Sequence, residues 1–206
     1  MAVFDMAALT PPERQRLLVR VIAPRPIAWV SSLDAEGRGN LAPFSHFMLG
    51  GSSPATCAFS PTRDRHGAGK HTLANIEATR EYVINVSTRA LAERINKTSF
   101  EYPAGTDEFD MAGLTRAPSK VVKPPRVAES PVALECRLHT IVRVGEGPGS
   151  ASYIIGEILL VHVDDAVLVD GLPDERLIGF TARAGADRWV DVSAESYFAL
   201  PRPTQP

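Results

Sequence analysis

Pro24-Arg25-Pro26-Ile27-Ala28-Trp29-Val30-Ser31-Ser32, followed by Asn40-Leu41-Ala42-Pro43-Phe44-Ser45-His46-Phe47, is the stretch that decides the fold. The first half is apolar and ends in hydroxyls; the second ends in small residues and a serine. Leu33-Asp34-Ala35-Glu36-Gly37-Arg38-Gly39 joins them, and charged residues with glycines are turn chemistry. Strand, tight turn, strand describes a hairpin. Its ends offer hydroxyls and backbone N–H groups to a ligand.

Working outward, apolar runs rich in β-branched and aromatic residues predict strands over 27–33, 39–47, 55–60 and 82–86. Residues 131–144 and 152–163 form a long hairpin around Gly145-Glu146-Gly147-Pro148-Gly149, and 167–171 is a short strand and turn. Helices are fewer. Thr10-Pro11-Pro12-Glu13 carries a capping box with proline at the first turn, so a helix runs over 11–20. Residues 71–81 read as a second helix with Thr72 as its N-cap. Ser87 or Thr88 caps a third, on which Leu91 and Ile95 lie one turn apart. Residues 100–125 are rich in proline and glycine and have little periodicity. An excursion this long holds at most one short helix, and it either functions or covers something. Strands outnumber helices, neighbours join by hairpins, and no βαβ alternation appears. The expected fold is mainly β with α: an antiparallel barrel with peripheral helices, one domain over 1–206.

The 206 residues are 44% apolar and 22% charged, with a net charge of −2. That balance speaks against nucleic acid as a partner, which needs a basic surface. The run 154–163 is too short to span a bilayer and contains Glu157, so no membrane role is expected. The N-terminus lacks the basic start and long apolar stretch of a secretory signal. Two widely separated cysteines, Cys57 and Cys136, each sit in a strand-like run and read as buried, reduced thiols. A cytoplasmic location follows from these.

The one cation-dense stretch is Ser60-Pro61-Thr62-Arg63-Asp64-Arg65-His66-Gly67-Ala68-Gly69-Lys70-His71-Thr72. Cations at the start of a helix, where N–H groups and the dipole favour negative charge, suit a phosphate. The plainer account is a solvated loop whose charges pair with Asp64. The hairpin has its own plain account, barrel packing of Trp29 and Phe44. Together the two segments suggest a pocket for a flat ring carrying a phosphate, with an apolar wall and backbone groups at the ring's polar edge.

The chain resembles the flavin reductase-like family of FMN-binding split-barrel proteins, in its longer-chain branch. The carriers are Pro24-Arg25-Pro26-Ile27-Ala28, Ala42-Pro43-Phe44-Ser45-His46-Phe47, Lys70-His71-Thr72 with Asn75-Ile76, and Asn85-Val86. Lys123-Pro124-Pro125-Arg126-Val127-Ala128-Glu129-Ser130-Pro131 and Gly156-Glu157-Ile158 add to them. The resemblance implies a split β-barrel, a homodimer, and FMN (sometimes FAD) near the subunit interface. It places Trp29, Val30, Ser31, Ser32, Ala42, Pro43, Phe44 and Ser45 along the isoalloxazine and ribityl chain. It places Ser60, Arg63, Lys70 and Thr72 on the phosphate, with His71 standing where the family often has an aspartate. NADH or NADPH is the implied electron donor, and a monooxygenase or redox protein the implied recipient. Hydride and electron chemistry would belong to the flavin, so no acid or base residue is assigned.

Two departures bear on the donor and the site. Where NADH-using members carry Gly-Asp-His, this chain reads Gly149-Ser150-Ala151-Ser152, which keeps open an FMN-binding electron carrier with no nicotinamide site. Where many members have Arg-Leu-Gly-Gly and then tyrosine, it reads Arg183-Ala184-Gly185-Ala186 and then Trp189. A pyridoxamine phosphate oxidase-like barrel is a third, more distant reading. There is no Gly-x-Ser-x-Gly elbow, and no cysteine pair or His-x-x-x-His helix for zinc. His66, His71 and Asp64 form too loose a set to read as a metal site.

Overall fold

The structure is a computed structural model and describes residues 1–64, 66–103 and 105–203. Arg65, one of the expected loop cations, therefore lies outside the described residues.

The opening hairpin forms as the sequence predicts. Strand β1 (Ala28–Leu33) pairs antiparallel with β2 (Gly39–Phe44), from Ala28 opposite Phe44 to Leu33 opposite Gly39. Asp34 closes the turn: its Oδ1 accepts from the amides of Glu36 and Arg38 at 3.0 and 2.8 Å. The expected single strand over 39–47 is two. The chain turns at Ser45 and His46 and begins β3 (Phe47–Ser52), which pairs with β4 (Ala55–Phe59). After β5 (Glu81–Val86), the long hairpin consists of β6 (Val132–Val144) and β7 (Ala151–Val163).

These strands form one antiparallel sheet in the order β2-β1-β5-β6-β7-β4-β3. Its two edge strands, β2 and β3, are consecutive in the chain. The sheet thus curls until its edges meet at Ser45 and His46 without a ladder between them, which is a split barrel.

Strand parity divides the core in two. Ala28 and Val30 face the interior with Phe44, Phe59, Ile76, Tyr82, Ile84 and Ile154. Trp29 and Leu41 face outward into a second cluster with Leu91, Ile95, Phe109, Leu114 and Val127. Each such burial is worth about 1.5–3 kcal/mol. Gly156 serves the interior by having no side chain: a Cβ there would lie 1.9 Å from the Tyr82 hydroxyl.

Helix α1 (Pro11–Val21) carries the expected capping box, with the Thr10 amide on Glu13 Oε2 at 2.8 Å. Its C-terminal carbonyls are held by buried Arg25, which donates to Val19 O and Ile22 O at 2.5 and 2.9 Å. Residues 25–26 also join a small sheet with β8 (Thr181–Ala184) and β9 (Arg188–Asp191). Helix α2 (His71–Thr79) ends two residues before its expected limit because Arg80 takes the left-handed conformation (φ 68°). Helix α3 (Ala92–Lys97) follows a single 3-10 turn whose N-cap is Thr88.

The long excursion is anchored. Asp107 caps α4 (Glu108–Ala112), accepting from the Phe109 amide at 2.9 Å. Further along, Glu135 on β6 is fully buried and accepts from the amides of Lys120, Val121 and Val122 at 2.7, 2.6 and 3.1 Å. His162 Nε2 lies 2.5 Å from the same carboxylate. Asn85, also fully buried, accepts from the Val127 amide at 2.8 Å and donates to Trp29 O at 3.1 Å. The excursion covers the outer face of β1, β5 and β6.

Candidate functional site

Where β2 runs beside the start of α2, a cleft of about 250 Å³ opens. Ala42, Pro43 and Phe44 form one wall. Lys70, His71 and Thr72 line it from the start of α2, and Ser99, Phe100, Glu101 and Tyr102 from the segment that follows α3. Asn40, Asp64, Ala68, Gly69, Thr98 and Glu108 complete it. The apolar wall is rigid because Phe44 is seated in the barrel, its ring 5.2 Å from that of Phe59.

The charged side depends on how α2 begins. Thr72 was the expected cap, but Lys70 is the N-cap residue, extended at φ −80° and ψ 144° and making no side-chain cap bond. Thr72 is inside the helix and buried, and its Oγ1 accepts from Asn40 Nδ2 at 2.9 Å. The hydroxyl that could have capped the helix is thus spent on tying α2 to β2. The first turn keeps its positive character for whatever enters the cleft. Lys70 Nζ reaches back to Glu101 Oε1 at 2.9 Å.

Three carboxylates line this cleft, and each is accounted for. Asp64 Oδ1 accepts from the amides of His66 and Ala68, both at 2.8 Å. The Ala68 amide, opposing burial, helps hold this carboxyl below its usual range. Glu108 Oε2 accepts from the Leu41 amide at 2.9 Å; burial nonetheless pushes its carboxyl up, so it holds its proton to higher pH than an ordinary glutamate. Glu101 faces Lys70.

The cleft therefore brings together Ala42, Pro43, Phe44, Lys70, His71 and Thr72 from the expected set. The remaining residues do not line it, and the side chains of all of them but Ser60 have their contacts elsewhere. Trp29 packs in the outer cluster and donates from Nε1 to Thr98 Oγ1 at 2.9 Å. Val30 is in the barrel interior. Ser31 donates to Pro125 O at 2.5 Å, and Ser32 Oγ accepts from Asn75 Nδ2 at 3.2 Å. Ser45 Oγ accepts from Arg25 Nε at 3.5 Å. Ser60 is buried next to the seam, its Oγ without a hydrogen-bond partner among the described residues. Arg63 is exposed and donates to Gly67 O at 3.1 Å, so its guanidinium braces the loop.

Sequence reasoning missed Asn40, Glu108 and the 98–102 wall. The aromatic pair Phe100 and Tyr102, with ring centroids 4.9 Å apart, was readable as the close of a helix followed by spaced aromatics. Nothing in the sequence marks Glu108 as buried, because the strand it meets is remote along the chain. Among the described residues, no group of three or more His, Cys, Asp or Glu is placed to hold a metal ion. No helix among them is long and apolar enough to cross a membrane.

A family model described as a flavin reductase like domain matches residues 20–174. A relative from Aquifex aeolicus, described as an uncharacterized protein, is 36% identical over 157 residues, covering 76% of this chain and 78% of its own length. Among solved structures, nitrilotriacetate monooxygenase component B from Bacillus cereus superposes with a TM-score of 0.91 at 27% identity, covering 97% of this chain and 98% of that one. A protein with a split barrel domain from Shewanella frigidimarina superposes with a TM-score of 0.81 at 26% identity over the full length of both chains.

Proposed function

The chain belongs to the flavin reductase-like family, and from that premise we propose that it is an FMN-binding oxidoreductase: an NAD(P)H-dependent flavin reductase that supplies reduced flavin or electrons to a partner. One observation carries this reading, the cleft that sets the apolar wall 42–44 against Lys70 at an uncapped helix start.

The residues present suit FMN. Ala42, Pro43 and Phe44 offer a flat apolar face next to main-chain polar groups, and Phe100 and Tyr102 offer aromatic surface opposite. Lys70 supplies a point charge for a terminal phosphate, and the first turn of α2 adds its dipole. One lysine at one helix start matches a single phosphomonoester, which favours FMN over FAD. When bound, the flavin supplies hydride and single-electron transfer. The protein's own work is to bind, to orient the ring between the two walls, and to exclude water.

A flavin-passing role is supported by the likeness to a monooxygenase component B. A homodimer is part of the proposal, supported by edge strand β3, where Met48 and Leu49 are 62% and 77% exposed beside unpaired backbone. A second reading, an electron carrier without a nicotinamide site, is favoured by Gly149-Ser150-Ala151-Ser152. That segment closes the β6–β7 hairpin and spends the Ser150 hydroxyl on Gly147 O at 2.7 Å.

Replacing Lys70 with alanine is expected to weaken FMN at least a few-fold and to leave riboflavin unchanged, read by calorimetric or fluorescence titration. Equal losses for both flavins would remove the phosphate from this site. Steady-state oxidation of NADH and NADPH with added FMN separates the readings: turnover supports the reductase, and a bound flavin reduced only by another redox protein supports the carrier.

A further inference from the structure

The cation assigned to the phosphate already has a partner. Lys70 Nζ lies 2.9 Å from Glu101 Oε1, and both residues line the same cleft. Glu101 sits on a strap that follows α3 and lines the cleft. The root of the strap is fixed, since buried Thr98 Oγ1 donates to Ile95 O at 2.8 Å and accepts from Trp29 Nε1 at 2.9 Å. Beyond Thr98 the backbone hydrogen bonds of the strap, among the described residues, are short-range. The Phe100 amide donates to Lys97 O at 3.3 Å and the Tyr102 amide to Phe100 O at 3.1 Å. The side chains of Lys70 and Glu101 are 38% and 72% exposed, so their contact is a solvent-screened one that exchanges readily.

Resting on the reading that Lys70 receives the flavin phosphate, we propose that Glu101 tempers flavin affinity: it is a built-in carboxylate that holds the phosphate's place on Lys70 and must be displaced by it. A carboxylate brings one negative charge to Lys70. A phosphomonoester near neutral pH brings almost two, with three acceptor oxygens, to the same lysine and helix start. The phosphate wins the exchange; a ligand without one leaves the Lys70–Glu101 pair intact. Glu101 therefore lowers affinity for every ligand that uses Lys70 and leaves the ring's own affinity alone. The cleft thereby holds a phosphorylated flavin less tightly than Lys70 alone would, and its preference for FMN over riboflavin is narrowed to match.

The test compares wild type, Glu101→Gln, Lys70→Ala and the double variant, each titrated with FMN and with riboflavin. Glu101 is exposed at the surface, and glutamine keeps its shape. Glu101→Gln is expected to tighten FMN roughly two- to five-fold, the range of an exposed ion pair, without changing riboflavin. In the Lys70→Ala background the same change is expected to have no effect on either flavin. Unchanged or weaker FMN binding by Glu101→Gln, with Lys70→Ala still selective against FMN, overturns the proposal and leaves the phosphate site standing. Equal losses of FMN and riboflavin affinity on Lys70→Ala would instead overturn the phosphate site, and the proposal with it.

Discussion

Two glutamates hold two loops of this protein, and they do so in opposite ways. Glu135 is fully buried, gathers three consecutive amides of the long excursion and faces His162. Glu101 stands largely in solvent on the strap and pairs with Lys70. Burial pushes the Glu135 carboxyl up, but His162 and the three amides outweigh it and hold the group below the usual carboxylate range. Removing water from a carboxylate is costly, so such a group is kept only where every acceptor position is filled; once filled, it cannot be released without leaving donors stranded. The exposed pair gains little and loses little. The first arrangement fixes a wall, and the second allows a ligand to replace one of its members.

The largest expected effect that would break this contrast is at Glu135. Glu135→Ala leaves three amides, that of buried Val122 among them, and His162 without their acceptor and is expected to destabilise the fold by about 3–5 kcal/mol, read by urea unfolding. The pH dependence has a definite sign. Because the folded-state pKa is lowered, the carboxylate's stabilisation is fully present above the ordinary value of 4.5 and is lost as pH falls through the folded value. Acid unfolding of wild type is therefore expected to steepen below about pH 4.5, and Glu135→Gln to flatten it.

Next comes the root of the strap. Thr98→Val removes the acceptor of the buried Trp29 Nε1 and is expected to cost about 1–3 kcal/mol. If unfolding were unchanged, the strap would be no better anchored than its exposed tip. The smallest effect is at that tip: Glu101→Gln is expected to change unfolding free energy by less than about 0.5 kcal/mol while altering FMN affinity. A large loss of stability there would make Glu101 a structural glutamate like Glu135 and erase the comparison.

How far the fold was readable follows from the same distinction between near and far partners. The hairpin 28–44 was legible because its determinants are local: apolar strands on either side of Asp34 and Gly37. The turn at Ser45 and His46 was not, because neither residue is a strong breaker and the apolar pattern continues through Phe47. Glu135 looked like any polar residue in a strand, since the amides that need it arrive from 13–15 residues upstream. At the site, the period of two was available and underused. Trp29 and Ser31 share one face of β1 and Val30 and Ser32 the other, so the four side chains cannot all look into one pocket. Wall residues 42–44 and Lys70 were legible because composition marked both.

The seam of the barrel carries a last consequence. Only Ser45 and His46 separate the end of the cleft wall at Phe44 from the edge ribbon that begins at Phe47 and displays Met48 and Leu49. Two residues of chain have almost no slack. On the proposed function, a ring held against Phe44 is expected to restrain that ribbon, and a molecule seated on the ribbon to restrain Phe44 in return, so that occupancy at one place is read as stiffness at the other.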